Sequence, residues 1–150
     1  MRRNLESLGK YEIGITAGSF DLTHAGHYLM FEECKSQCDY LIVCLQTDPT
    51  IDRAAKNKPV QSINERYLQL RACKYIDEVI VYETEEDLYN LFCSLHYTKR
   101  FIGADWQGKP FTGHDINGMN EKIVFNSRNH KFSSSELRKR VYESEKSKLK

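Results

Sequence analysis

An excess of charge of either sign is nearly missing from this chain: 22 Lys and Arg stand against 21 Asp and Glu, a formal balance of +1. A broadly basic nucleic-acid surface is therefore not expected, though a local basic pocket is compatible with that balance. No apolar run is long enough for a membrane span; the longest are strand-sized. The first ten residues, MRRNLESLGK, carry charge but no apolar core behind it, so no secretory leader is expected. Cysteine is scarce and odd in number, at positions 34, 38, 44, 73 and 93. Most lie among apolar residues, which points to free buried thiols in a reducing compartment, here taken as the cytoplasm. Cys34 and Cys38 are one helical turn apart, yet no partner at zinc-like spacing accompanies them. Internal repeats and low-complexity segments are also missing. The 150 residues read as one domain, 1–150, long enough to bury a core.

What is present is an alternation. YEIGITAG reads as a strand ending at glycine, and GHYLMFEECKSQC as a helix with Leu29, Met30, Cys34 and Cys38 toward the core. DYLIVCLQ is a near-continuous apolar run, as in a strand covered on both faces. A helix follows, opened by Ser62 with Glu65 three residues later. DEVIVYE is a third strand; Leu88, Leu91, Phe92 and Leu95 then form a helical stripe. KRFIGAD and EKIVFNS are the fourth and fifth strands, before a charged last helix that is expected to fray from Glu143. The pattern predicts an α/β fold: a Rossmann-like three-layer sandwich around a mostly parallel five-stranded sheet. Ligands of such sheets bind beyond the carboxyl ends of the strands. Gly18–His27, Thr47–Pro59, Gly103–Lys109 and Asn126–Ser135 fall there.

The first of these, GSFDLTHAGH, carries the sharpest signal. Gly18 ends a strand where the chain must turn sharply or let a ligand approach. His24 and His27 are three apart and share the first helical turn. The opening amides of a helix lack intrahelical partners and suit an anion, and Gly26 has no side chain to block one. Two imidazoles, free amides and a helix dipole at one spot predict a phosphate site.

This stretch resembles the G-x-F-D-x-x-H-x-G-H signature of the cytidylyltransferase-like nucleotidyltransferases. ERYLQLRACKYIDEVI and GADWQGK are similar to segments of the glycerol-3-phosphate cytidylyltransferases, and SRNHKFSSSELRKR sits where they carry R-T-x-G-I-S-T-T. The resemblance implies transfer of a cytidylyl group from CTP to a small phosphorylated alcohol, foremost glycerol 3-phosphate, with Mg2+ held mainly by nucleotide phosphates and a homodimer as the working form. It implies catalytic roles for His24, His27, Lys58 and Arg128. Gly18, Ser19, Phe20, Lys56, Asp105, Ser133 and Ser134 would hold the nucleotide, and Arg66 and Trp106 the acceptor. Asp21 orients the turn or a metal-bound water.

Three departures bear on the acceptor: Lys131 and Phe132 replace the usual glycine and isoleucine, GAD replaces GDD, and Pro110–Asn120 has no clear counterpart. Lys131 suggests an acceptor with an extra anionic group. Rival readings are transfer to another acceptor, adenylyl transfer from ATP, and a nucleotide-binding module without turnover. The last helix has a poor apolar face, so membrane binding is not expected.

Overall fold

In the computed structural model, which describes residues 10–149, β1 (Ile13–Gly18) is the central strand of a five-stranded sheet. The order is β3-β2-β1-β4-β5, with β2 at Tyr40–Gln46, β3 at Glu78–Tyr82, β4 at Lys99–Gly103 and β5 at Ile123–Asn126. Every neighbouring pair is parallel, so the sheet is wholly rather than mostly parallel. Parallel strands need long crossovers, and these carry α1 (Ala25–Ser36), α2 (Ile63–Arg71) and α3 (Glu85–Ser94).

The apolar run of β2 alternates between two clusters. Leu41, Val43 and Leu45 join Phe31 and Cys34 of α1 and Leu70 of α2 on one face. Ile42 and Cys44 join Leu88 and Phe92 of α3 on the other. A strand covered on both sides needs no polar alternation. Burial also pushes the thiols of Cys34 and Cys44 up to about 12, so they are packing groups rather than nucleophiles.

Helix α2 starts as the sequence indicates. Ser62 and Glu65 form a reciprocal capping box on α2, and Thr84 and Asp87 form another on α3. One expectation is corrected. On α1 the inward residue is Phe31, fully buried, while Leu29 is exposed; Phe31, Cys34 and Cys38 lie on one stripe, and Leu29 falls off it. The last helix, α4 (Ser134–Lys148), continues past Glu143 as helix, although its outer residues are exposed.

Between β4 and β5 the crossover is irregular. Residues 104–122 contain only short 3-10 turns, yet Phe111, Ile116 and the buried Met119 pack on the α3 face. Gly113 makes this course feasible: its φ is 83°, and a Cβ there would lie 3.1 Å from the Phe92 ring and 3.3 Å from Arg100 Nη1. The first nine residues, including most of the stretch read for a leader, lie outside the described residues. No helix among the described residues is long and apolar enough to cross a membrane.

Candidate active site

The strand order reverses between β1 and β4, and a cavity of about 430 Å³ opens beside that point. This is where an open parallel sheet leaves a crevice past its strand ends. The turn after β1 forms the floor. Phe20 and Leu22 take left-handed backbone angles, φ 46° and 51°, an uncommon state for such residues that the surroundings must hold in place. Gly18 matters sterically: a Cβ there would sit 3.1 Å from the Phe20 ring tip.

Asp21 supplies much of that hold. Its carboxylate accepts from the amides of Val60 and Gln61, both at 2.9 Å, and from Arg138 of α4 at 2.6 Å. Leu22 N donates to Gln61 Oε1. One buried carboxylate thus ties the β1 turn, the end of the 47–61 loop and α4 together.

The histidines cap their own helix. Gly26 N donates to His24 Nδ1 at 3.0 Å, and His24 N donates to His27 Nδ1 at 3.2 Å. The expected free amide of Gly26 is therefore satisfied by an imidazole. Each Nδ1 is an acceptor, so each neutral ring carries its proton on Nε2. His24 Nε2 meets Ser134 Oγ at 3.2 Å, while His27 lines the cavity. Burial, followed by the neighbouring His24 and His130, lowers His27 to about 4; burial and then His130 and Arg128 lower His24. Both rings thus favour the neutral state, and their Nε2–H groups are donors that need no change of charge. The missing Cβ of Gly26 lets the third ring approach: it would lie 2.7 Å from His130 Cε1 and 2.8 Å from His24 Cε1.

The start of α4 completes this end. Ser133 Oγ caps the helix by accepting from Glu136 N, and Ser134 and Ser135 line the cavity. Among the described residues the amides of Ser134 and Ser135 donate no hydrogen bond, so the helix offers donors to an anion there.

A cytidylyltransferase-like family model matches residues 15–140. The chain belongs to the cytidylyltransferase-like family. Among curated relatives, the bifunctional protein HldE of Granulibacter bethesdensis is 30% identical over 69% of this chain and 21% of its own length. A probable ethanolamine-phosphate cytidylyltransferase of Encephalitozoon cuniculi is 39% identical over 51% of the chain and 25% of its own. The glycerol-3-phosphate cytidylyltransferase of Bacillus subtilis is 35% identical over 63% of the chain and 73% of its own. The chain therefore spans only about a quarter or less of the length of the first two. A lipopolysaccharide core biosynthesis protein from Thermoplasma volcanium shares the fold: TM-score 0.65 at 24% identity, covering 79% of this chain and 98% of that one.

Set on this family frame, the expected residues separate. Gly18, Ser19, Phe20, Lys56, Trp106 and Ser134 line the cavity with His27. Lys58, Asp105 and Arg128 are exposed and outside its lining, although Arg128 is near enough to act on His24. Ser133 acts as the cap. Lys131 is exposed and also off the lining, so it gives no support to an extra anion site. Arg66 is the clearest correction. It is 2% exposed, and its guanidinium donates to the backbone carbonyls of Gln61, Ser19, Gln46 and Thr47. It braces the strand ends rather than facing a substrate phosphate.

Several lining residues were not singled out from the sequence: Arg53, Arg100, Asn126 and Arg138. Asn126 Nδ2 is buried without a partner while its Oδ1 accepts from Cys34. Only Arg138 lay within a quoted motif. The others come from segments whose meeting depends on the fold.

Proposed function

We propose that this protein joins CTP to a small phosphorylated alcohol, with glycerol 3-phosphate the leading acceptor, giving a CDP-alcohol and pyrophosphate. The observation that carries this reading is the His24–His27 pair at the strand-order reversal: both Nδ1 atoms are held in the helix cap, His24 Nε2 meets Ser134 Oγ, and His27 lines the cavity with its Nε2 free to donate. An oxygen of the acceptor phosphate attacks the α-phosphorus, and the bond to the β-phosphate bridging oxygen breaks as pyrophosphate leaves. The nucleophile is already anionic, so no base is required. Positioning and charge stabilisation then supply the rate.

In this reading His27 donates from Nε2 to the reacting phosphates, backed by His24. The start of α4, Arg138 and Lys56 add positive potential. Gly18 and Ser19 bring backbone close to the nucleotide. Mg2+ finds no preformed protein site: no cluster of three or more His, Cys, Asp or Glu suits a metal among the described residues, and Asp21 is already engaged. The ion would arrive on the nucleotide phosphates, and no step here runs through it. A homodimer and a cytoplasmic location complete the proposal, checked by sedimentation and cell fractionation.

The test is pyrophosphate release with Mg2+, crossing CTP and ATP with glycerol 3-phosphate, phosphoethanolamine, phosphocholine and ribitol 5-phosphate. Release with CTP and glycerol 3-phosphate that His27→Ala lowers about a hundredfold supports the proposal. Release with ATP alone overturns the nucleotide, and no release from any pair overturns the reaction.

A further inference from the structure

The cavity wall on the α3 face is built around Arg100, a β4 residue only 5% exposed. Its guanidinium is packed between the Phe92 ring, 4.0 Å away, and the Phe111 ring, 4.8 Å away. Nη1 donates to the Thr112 carbonyl and lies 3.9 Å from Met119 Sδ. Nε and Nη2 make no hydrogen bond among the described residues. Burial lowers the group to about 10, which still leaves it protonated near neutral pH.

No carboxylate hydrogen-bonds this guanidinium. The acid on this wall, Glu85, pairs with Arg53 Nη2 at 2.8 Å and accepts from Thr112 Oγ1 at 2.7 Å. Arg53 Nη2 also donates to Gln46 Oε1, and its Nε is buried without a partner. Two guanidinium groups therefore face one carboxylate, and donors outnumber acceptors. The buried Arg53 Nε is costly without an acceptor, and Arg100, which lines the cavity, keeps Nε and Nη2 available to a ligand that supplies acceptors.

We infer that Arg100, supported by Arg53, reads the end of the acceptor remote from its phosphate, selecting hydrogen-bond-accepting oxygens there and rejecting an alkylammonium. A carboxylate suits the planar fork best, a hydroxyl is accepted, and an ammonium meets like charge. The inference rests on the cytidylyl-transfer reading for which end of the ligand lies where. It also moves the extra positive charge from Lys131, where the sequence suggested it, to Arg100.

Three probes share a phosphate and differ at the other end: 3-phosphoglycerate, glycerol 3-phosphate and phosphoethanolamine. Trp106 is the only tryptophan and lines the cavity, so its fluorescence reports binding to the full chain without turnover. The expected affinity order is carboxylate, then hydroxyl, then ammonium, spanning about tenfold or more. Arg100→Gln should compress the span to about twofold. Arg100→Lys should keep part of it, and Arg53→Gln should reduce it while leaving Arg100 in place. Equal or tighter binding of phosphoethanolamine to the wild type overturns the inference, and so does an unchanged span in Arg100→Gln. If that variant does not fold, the wild-type order and Arg53→Gln decide. Pyrophosphate release with CTP and a flat binding order sinks only the selection by Arg100. An intact binding order with no release from any pair sinks only the transfer reaction.

Discussion

Each face of the sheet buries one guanidinium, and the two are used differently. On the α2 face, Arg66 gives every nitrogen of its fork to backbone carbonyls. On the α3 face, Arg100 is almost as deep but commits only Nη1. Depth and charge are therefore poor markers of a site by themselves. The number of donors left without protein acceptors separates a brace from a binding group. The histidine pair divides in the same way: both Nδ1 atoms serve the helix cap and His24 Nε2 meets Ser134 Oγ, while His27 Nε2 has no protein acceptor among the described residues.

The comparison breaks first if the two arginines behave alike. Arg66→Met leaves carbonyl groups at both strand ends without their donor, and should cost roughly 4 kcal/mol in urea unfolding. Arg100→Met replaces a cation that lacks a bonded carboxylate and should remain within about 1 kcal/mol of wild type. Equal losses would mean that Arg100 is also a brace.

His27→Ala tests the division within a ring. In the proposed reaction it removes one donor from the reacting phosphates and should lower kcat about a hundredfold, while circular dichroism shows a folded chain. A loss of folding instead would assign His27 mainly to its capping bond.

Asp21→Asn weakens the tie between the β1 turn, the 47–61 loop and α4. About 2 kcal/mol of stability should go with the charged hydrogen bonds, and the nucleotide KM should rise. An unchanged melting curve would remove Asp21 from the set of braces.

The smallest effect is in pH. His27 titrates near 4 when folded, against an ordinary value of 6.5. Between those values the unfolded chain binds more protons, so stability falls as pH drops. From pH 7 to 5.5 the loss should be about 1 kcal/mol, and the slope should shrink in His27→Ala. Phosphates bound beside the ring favour its protonated form, so CTP binding at pH 5.5 should take up protons, measurable by calorimetry in buffers of different ionisation heat.

The fold was largely legible because its signals are local. The apolar run of β2, the Ser62–Glu65 box and the stripe of α3 each lie within a dozen residues. The histidine turn was legible for the same reason. Arg66 was misplaced because its role depends on carbonyls from three other segments. Arg100 carried no signal, since its surroundings come from α3 and the 104–122 crossover. Leu29 was assigned inward by hydrophobicity alone, and the neighbouring aromatic took the core position.

The 104–122 crossover contributes no strand to the sheet and no helix to either layer. It grips the fold through a few side chains and one carbonyl, that of Thr112, which meets Arg100. Rewriting its exposed parts changes one wall of the chamber while every strand pair keeps its register. For protein engineering it is a candidate cassette: Trp106, Phe111 and Thr112 line the cavity from outside the sheet, so replacing them would test whether the proposed acceptor range moves separately from the histidine turn.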